Sequence, residues 1–196
     1  MTLFDTHAHY DDEAFDADRD TVLSAFDGLV IDPGCTLESS RAAVALANRY
    51  PHVYAAVGIH PENCGGFLTE HLDELRRLAR QSKVVAIGEI GLDYYWAENP
   101  PREFQRQVFR AQLELALELD LPVIIHDREA HGDSLAIVKE YPALRGVFHC
   151  YSGSVEMAKE LLDRGWYLGF DGPVTYKNAR RTVEVAEMIP IDRILV

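Results

Sequence analysis

Eight short apolar segments recur along this chain of 196 residues, and each ends in a polar or glycine-rich corner. Their nearly continuous apolar character, rich in Val, Ile and aromatic residues, is typical of strands buried on both faces. The segments are LFDTH (3–7), GLVIDPG (28–34), VYAAVGIHP (53–61), VVAIGEIG (84–91), LPVIIHD (121–127), GVFHC (146–150), WYLGFDG (166–172) and RILV (193–196). Their regular recurrence constrains the fold more than any other feature of the sequence.

Helical patterns fill the stretches between these segments. The clearest covers residues 102–120, where apolar side chains form one continuous stripe. The residues placed to cap other helices are Thr69 and Ser154, with Thr36, Asp133 and Asn178 as further candidates. Residues 62–66 are predicted to form a mobile loop.

Strands that alternate with helices imply right-handed crossovers and a parallel sheet. Eight strands joined by seven crossovers predict a single α/β domain over residues 1–196, closed as a TIM-type (β/α)8 barrel. The alternative is an open doubly wound sheet, which would need a phosphate-binding glycine loop after the first strand. His7 and His9 occupy that place, so the barrel is the preferred fold.

Charge and cysteine content limit the possible functions. The formal net charge of -13 argues against nonspecific coating of nucleic acid and against an anionic membrane surface. It does not exclude a nucleic acid substrate, because bound divalent cations reverse the local field. Three widely spaced cysteines are typical of reduced thiols. With no leader and no apolar run of membrane-spanning length, we expect a cytoplasmic protein without membrane contact, and the sequence indicates no obligate protein partner.

Histidines collect at one end of the predicted strands. Catalytic groups of such barrels lie at the carboxyl-terminal ends of the strands. Five of the eight histidines fall there, namely His7, His9, His60, His126 and His149. The other three, His52, His71 and His131, lie in loop or helix contexts and are predicted to be solvated or structural.

His7 and His9 are two residues apart, a spacing that places both imidazoles on one face of a strand. Such a pair is half of a metal site, or otherwise an ordinary polar pair at a strand end. Glu89 adds a carboxylate inside an apolar run, where an unpaired charge is expensive. With His126 and His149 at the same end, the set is too large for one tetrahedral ion. It suits two cations about 3.5–4 Å apart that share the carboxylate.

The ligand types do not identify the cations. Histidine with carboxylate suits zinc, manganese or iron, and magnesium is possible with additional waters. Arg128 follows His126 and could grip a phosphate in a bidentate manner. Its alternative role is an ion pair with Asp127 or Glu129. Asp5 and Asp32 are predicted to accept hydrogen bonds at strand ends.

Six stretches carry a resemblance to a known family: FDTHAHYDDEAFDADRD, GIHPE, IGEIGLDYY, VIIHDREAHGDSL, FHCYSGS and GFDGPVTYKNAR. In this order they resemble the TatD-like metal-dependent deoxyribonucleases, a branch of the amidohydrolase-type barrels. The resemblance implies that His7 and His9 bind a first divalent cation and that Glu89 bridges to a second. It implies that His126 and His149 bind the second cation, and that His60 lies in the substrate site.

The resemblance also implies the reaction. The substrate class is DNA, cleaved in single strands or from the 3′ end, and water activated by the two cations would attack phosphorus. His60 or Arg128 could then neutralise charge on the phosphate. Two alternatives stay open. One is a related hydrolase acting on an amide, lactone or phosphotriester, although Glu89 occupies the place where many of those carry a modified lysine. The other is a barrel without turnover.

The end of the sequence departs from the family pattern. Family members carry an aspartate just after the eighth strand and then further helix, whereas this sequence ends at Val196. We therefore expect a barrel that is incomplete after strand eight, with an apolar groove beside strands one and eight. The first cation should then bind weakly and activity should be low.

Overall fold

The computed structural model describes residues 3–196, which form eight strands with one α-helix in each of the seven crossovers. The strands are β1 (Leu3–Asp5), β2 (Gly28–Pro33), β3 (Val53–Val57), β4 (Val84–Asp93), β5 (Val123–Arg128), β6 (Gly146–Phe148), β7 (Tyr167–Gly169) and β8 (Ile194–Leu195). The helices are α1 (Arg19–Ala25), α2 (Leu37–Arg49), α3 (Thr69–Ala79), α4 (Arg102–Leu119), α5 (His131–Lys139), α6 (Val155–Asp163) and α7 (Arg180–Met188). Among these residues, no helix is long and apolar enough to span a membrane.

The strands close into a barrel. Each strand pairs in parallel with its neighbour in chain order from β1 to β8. The two ends meet where the backbone N–H and the hydroxyl of Thr6 donate to the carbonyl oxygen of Val196, at 2.6 and 2.7 Å. The predicted TIM-type barrel and its seven crossovers are confirmed, and the open sheet is excluded. The observed strands are mostly shorter than the apolar segments because several segments continue into the loops.

Apolar side chains pack in two layers. Inside the barrel, Ala56, Ala86, Ile124 and Val147 form one cluster. Residues that point outward from the strands, such as Ile125, pack with the helices in a second and larger core. This alternation follows from the two-residue period of a strand and explains why the segments read as apolar on both faces.

Two cavities flank the interior. One, of about 480 Å³, opens at the amino-terminal ends of the strands and is lined by apolar side chains including Leu29, Tyr54 and Val85. The second is the groove expected beside β1 and β8. It is present, lined by Leu3, Val174 and other apolar side chains, but it also contains polar side chains and is therefore only partly apolar.

The predicted helix starts are confirmed only in part. Thr36 and Ser154 cap α2 and α6, accepting from the backbone N–H three residues later. Thr69 is the first residue of α3 rather than its cap, because the preceding residue takes the capping position. The expectations for Asp133 and Asn178 are wrong, since α5 begins two residues before the first and α7 begins two residues after the second.

The prediction of a mobile loop at residues 62–66 is also wrong. Pro61–Gly66 is a 3-10 helix, and Cys64 within it is buried. His60 precedes this helix, and its Nδ1 accepts from the backbone N–H of Glu62 at 3.3 Å. Because the helix is anchored by a buried side chain, it fixes the position of His60 at the end of β3.

Candidate metal centre

Glu89 lies at the middle of a polar cluster at the carboxyl-terminal end of the barrel. It is the sixth residue of β4, and only 3% of its surface is exposed. Close packing of β4 on β5 requires glycine at Gly91. Its φ of 143° suits glycine, and a β-carbon there would collide with the backbone of His126. The strand can therefore bring a carboxylate into contact with imidazoles from its neighbours.

One carboxylate oxygen of Glu89 faces the histidines that follow β1. Oε2 lies 3.3 Å from Nε2 of His7 and 3.6 Å from Nε2 of His9. These two nitrogens are themselves 3.1 Å apart. The thiol of Cys35, from the loop after β2, approaches the same oxygen at 3.7 Å. The prediction that His7 and His9 share one face of a strand is wrong, because β1 ends at Asp5 and both residues lie in the loop after it. Their Nε2 atoms nevertheless converge on the same carboxylate oxygen.

The other oxygen faces the histidines of later strands. Oε1 of Glu89 lies 2.7 Å from Nε2 of His149, 2.9 Å from Nδ1 of His126 and 3.5 Å from Nε2 of His60. The four histidines predicted as metal ligands thus meet at the carboxylate of the fifth predicted ligand, Glu89. His60, which the sequence placed nearby in the substrate site, belongs to the same cluster and is only 6% exposed.

The outward nitrogens of three histidines face carboxylates. Nε2 of His126 is 3.0 Å from Oδ2 of Asp93, and Nδ1 of His149 is 3.5 Å from Oδ2 of Asp171. Nδ1 of His9 is 3.9 Å from Asp11. Metal-binding histidines usually carry such an acceptor on their second nitrogen, which fixes the ring and increases the basicity of the first. The pair of His126 and Asp93 has this arrangement, whereas Nδ1 of His149 and Nδ1 of His9 make no hydrogen bond to their carboxylates among the described residues.

The electrostatics keep Glu89 ionised. Burial alone would raise the pKa of Glu89, but the surrounding imidazoles, led by His149, hold that pKa well below its usual range. Burial disfavours a charge on His149, but the Glu89 carboxylate raises the pKa of His149 to about 9. Burial and the neighbouring His149 lower the pKa of His7. The centre therefore combines a charged carboxylate with imidazoles that compete for protons, and a bound cation would replace those protons.

The residues present fit divalent cations. Potential ligand atoms of His7, His9 and Glu89 all lie within 4.8 Å of one another, and so do those of His60, Glu89 and His126. Both groups share Glu89, which offers a different oxygen to each. This is the geometry expected for a carboxylate that bridges two cations.

Asp32 does not behave as the sequence suggested. It is fully buried, and within the described residues neither of its carboxylate oxygens has a hydrogen-bond partner. It groups with His9 and Asp11. Burial, together with the neighbouring Asp11, raises the pKa of Asp32 to about 9. The prediction that Asp32 accepts a strand-end hydrogen bond is wrong, whereas Asp5 does accept one, from the backbone N–H of His7 at 3.1 Å.

Arg128 stands beside the cluster but not in it. Its guanidinium carbon lies 3.9 Å from the centroid of the Tyr95 ring and 5.3 Å from that of Trp96. The alternative of an ion pair with a neighbouring carboxylate is not observed, because Asp127 instead contacts Nδ1 of His131 at 2.8 Å. That contact agrees with the structural role predicted for His131.

Sequence reasoning placed Asp93 at the same end of the barrel as a group that could serve the substrate, but it did not pair Asp93 with a histidine and gave Cys35 and Asp171 no role. The histidines were predicted because functional groups of such barrels lie at the carboxyl-terminal ends of the strands. The same reasoning could have placed two of these residues beside the histidines, since Asp93 ends β4 and Asp171 follows β7 at that end of the barrel. Cys35 gave no such signal, because a single cysteine in a loop has no pattern of its own.

Comparisons with known proteins identify the family of the chain. The sequence matches the family described as TatD related DNase over residues 4–196. It is 40% identical to the uncharacterised metal-dependent hydrolase YabD of Bacillus subtilis (strain 168), covering 99% of this chain and 78% of that protein. It is 37% identical to the 3'-5' ssDNA/RNA exonuclease TatD of Citrobacter koseri, covering 96% and 74%. The crystal structure of YjjV, a TatD homologue from Escherichia coli K12, superposes with a TM-score of 0.92 at 34% identity, covering 99% and 77%.

Proposed function

Because the chain belongs to the TatD-related DNase family, we propose that it is a metal-dependent nuclease that hydrolyses phosphodiester bonds of single-stranded DNA or RNA. The observation that carries this proposal is the division of ligands around Glu89. Its Oε2 faces His7 and His9, and its Oε1 faces His126 and His149. A carboxylate shared in this way is suited to two cations that act on one phosphate.

Two divalent cations would be held by the five predicted ligands. His7 and His9 would bind one, His126 and His149 the other, and Glu89 both. Bound there, the cations would supply positive charge to the phosphate and acidify an attacking water. The chain's carboxylates at Asp93 and Asp171 would hold the rings of His126 and His149 in place. Zinc, manganese, iron and magnesium are all compatible with these ligand types.

His60 would act on the scissile phosphate, and Arg128 would contribute positive charge toward the substrate. His60 is the remaining imidazole near Oε1 and could orient a phosphate oxygen. Arg128 has an exposed guanidinium close to the centre and could neutralise substrate charge. Nucleic acid as substrate agrees with the names of the TatD relatives, which act on ssDNA and RNA. A cytoplasmic location and a further ligand from beyond strand eight stay predictions.

The test is hydrolysis with defined metals. Chelator-treated protein would receive Mg²⁺, Mn²⁺, Zn²⁺ or Fe²⁺ separately and would be given bis(p-nitrophenyl) phosphate, single-stranded oligonucleotides, a phosphotriester and a lactone. We expect cleavage of the two phosphodiester substrates, stimulated by at least one of the metals. Turnover of the triester or lactone with no phosphodiester cleavage would contradict the proposal and favour the alternative hydrolase. Metal binding without turnover of any substrate would favour the inactive barrel.

A further inference from the structure

A cavity of about 450 Å³ opens directly beside the metal centre. It lies between the carboxyl-terminal ends of β5, β6 and β7 and the segment that leads into α7. His126, His149 and Asp171 border both the cavity and the centre. Its volume is in the usual range for small-molecule sites. A ligand in this cavity would therefore lie against His126 and His149, the two imidazoles proposed to hold one of the cations.

The walls of the cavity differ in character. Arg128 forms part of one wall, while Tyr151, Phe170, Val174 and Tyr176 supply aromatic and apolar surface. Tyr176 has 63% of its surface exposed, so its ring is available to a ligand in the cavity. A cation beside an aromatic surface matches a nucleotide, which combines an anionic phosphate with a flat base.

Arg128 is held in place without using its hydrogen-bond donors. Its guanidinium stacks on Tyr95, whose ring in turn contacts the ring of Trp96 at 4.6 Å between centroids. Stacking occupies the face of the guanidinium and leaves the N–H groups at its edge available. Within residues 3–196, no carboxylate lies within 4.0 Å of Arg128. Arg106, by contrast, pairs with both Glu103 and Asp133.

The positive charge continues beyond Tyr176. Lys177 follows it directly, Arg180 and Arg181 come shortly after, and all three are exposed. In the part of the chain that the structure describes, none of the three has a carboxylate within 4.0 Å, although Glu184 and Glu187 share a surface cavity with Lys177 and Arg180. The three cations offer successive phosphates of a polyanion a path away from the centre.

We propose that this cavity is a nucleotide subsite, in which Arg128 binds the phosphate adjacent to the scissile one and Tyr176 stacks on the base. The strand then continues along Lys177, Arg180 and Arg181. The inference rests on the proposed phosphodiester hydrolysis at Glu89 and adds the side of the centre on which the nucleic acid lies. It also gives the enzyme a preference for polynucleotides over small phosphodiesters, because only a polynucleotide reaches the subsite.

The first measurement is binding, which does not depend on turnover. Fluorescence anisotropy with a labelled single-stranded hexanucleotide would be recorded in Ca²⁺, used to limit cleavage. We expect Arg128→Gln to weaken binding about tenfold, since it removes charge-assisted hydrogen bonds. Tyr176→Ala should weaken it by a similar factor and Tyr176→Phe should not, because stacking needs only the ring. The matched control is Arg102→Gln, whose guanidinium also stacks, on Tyr94 at 4.3 Å, but does not border the cavity.

An abasic oligonucleotide identifies the contact with the base. Removal of the base at the position next to the scissile phosphate should weaken binding to the unchanged protein as much as Tyr176→Ala does. It should have no further effect on the Tyr176→Ala variant, because the same contact cannot be lost twice. If the two losses are instead additive, Tyr176 does not contact that base and the subsite as proposed is wrong.

Hydrolysis of bis(p-nitrophenyl) phosphate separates this inference from the proposed function. Tyr176→Ala should keep that rate within about twofold while the rate with oligonucleotides falls about tenfold. Equal losses on both substrates in Tyr176→Ala would mean that Tyr176 acts at the scissile phosphate, and would overturn the subsite. Variants that bind and cleave oligonucleotides like the unchanged protein would overturn it as well. Absence of phosphodiester hydrolysis with every metal would instead contradict the proposed function, while the binding results would still decide the subsite.

Discussion

The two ends of the barrel are built from the same strands but differ completely in chemistry. On β5, Ile124 belongs to the apolar cluster inside the barrel, and His126, two residues further on, contacts Glu89. Val147 on β6 and His149, the first residue after β6, repeat this spacing. The amino-terminal end opens into an apolar cavity, and the carboxyl-terminal end gathers five imidazoles. Position along a strand, rather than the face of the strand, therefore determines whether a side chain serves the core or the site.

The largest effect is expected at Glu89. Glu89→Gln keeps the size of the side chain but removes the charge that two cations would share, so phosphodiesterase activity should fall by several orders of magnitude. The fold should survive, because the apolar cores do not depend on this residue. Turnover under saturating metal and the circular dichroism spectrum are the two measurements.

A control variant completes this experiment. His71→Gln changes a histidine of α3 whose Nδ1 accepts from the backbone N–H of Leu68 at the surface, and which is not among the residues that surround Glu89. Its rate should stay within a few-fold of the unchanged protein. His131 is less suitable, because it contacts Asp127 at 2.8 Å. Near-normal activity in Glu89→Gln would exclude the bridging role.

Two substitutions on one face of β5 test the contrast between the ends directly. Ile124→Ala should lower the free energy of unfolding by about 2–5 kcal/mol, because it removes buried methyl groups next to an existing cavity. It should leave the affinity for Zn²⁺ or Mn²⁺ nearly unchanged. His126→Ala should greatly lower the affinity for these cations and should change the free energy of unfolding much less than Ile124→Ala does. Urea denaturation and calorimetric titration measure the two quantities, and equal effects of both variants on both would refute the contrast.

A smaller effect concerns pH. The pKa of His149, raised to about 9, means that this protonated imidazole stabilises the metal-free fold fully below about pH 6.5, and that the stability is lost as pH rises through 9. Cations compete with the same proton, so their affinity should rise with pH over this range and fall toward pH 5. Thermal melting in chelator and metal titrations at pH 5.5, 7 and 8.5 would show the opposite slopes. Parallel slopes would mean that His149 does not bind metal.

Much of this architecture could be predicted from the sequence, for identifiable physical reasons. The apolar segments specify buried strands, and His7, His9, Glu89, His126 and His149 all fall at their carboxyl-terminal ends, so the barrel brings them together without further information. Helix caps were less predictable, because Thr69 could serve equally as a cap or as a first helical residue. The environment of Asp32 was not predictable at all, since the absence of a donor depends on three-dimensional packing.

The smallest effect is expected at Asp32. This residue is fully buried, like the residues of the apolar core, but its neighbours are the polar side chains His9 and Asp11 at the carboxyl-terminal end of the barrel. With a pKa raised to about 9, it carries a proton in the folded chain at neutral pH and loses it on unfolding. A carboxyl whose pKa is raised in the folded chain favours folding most below about pH 4, and this contribution to stability is lost progressively as pH rises toward 9.

Asp32→Asn keeps the shape of the side chain, cannot ionise and can donate a hydrogen bond to Asp11. We therefore expect the metal-free variant to melt like the unchanged protein near pH 5 and several degrees higher at pH 8. If the difference in melting temperature between the two proteins is the same at both pH values, Asp32 is ionised in the fold, and its buried carboxylate must then have a cation or a donor close by.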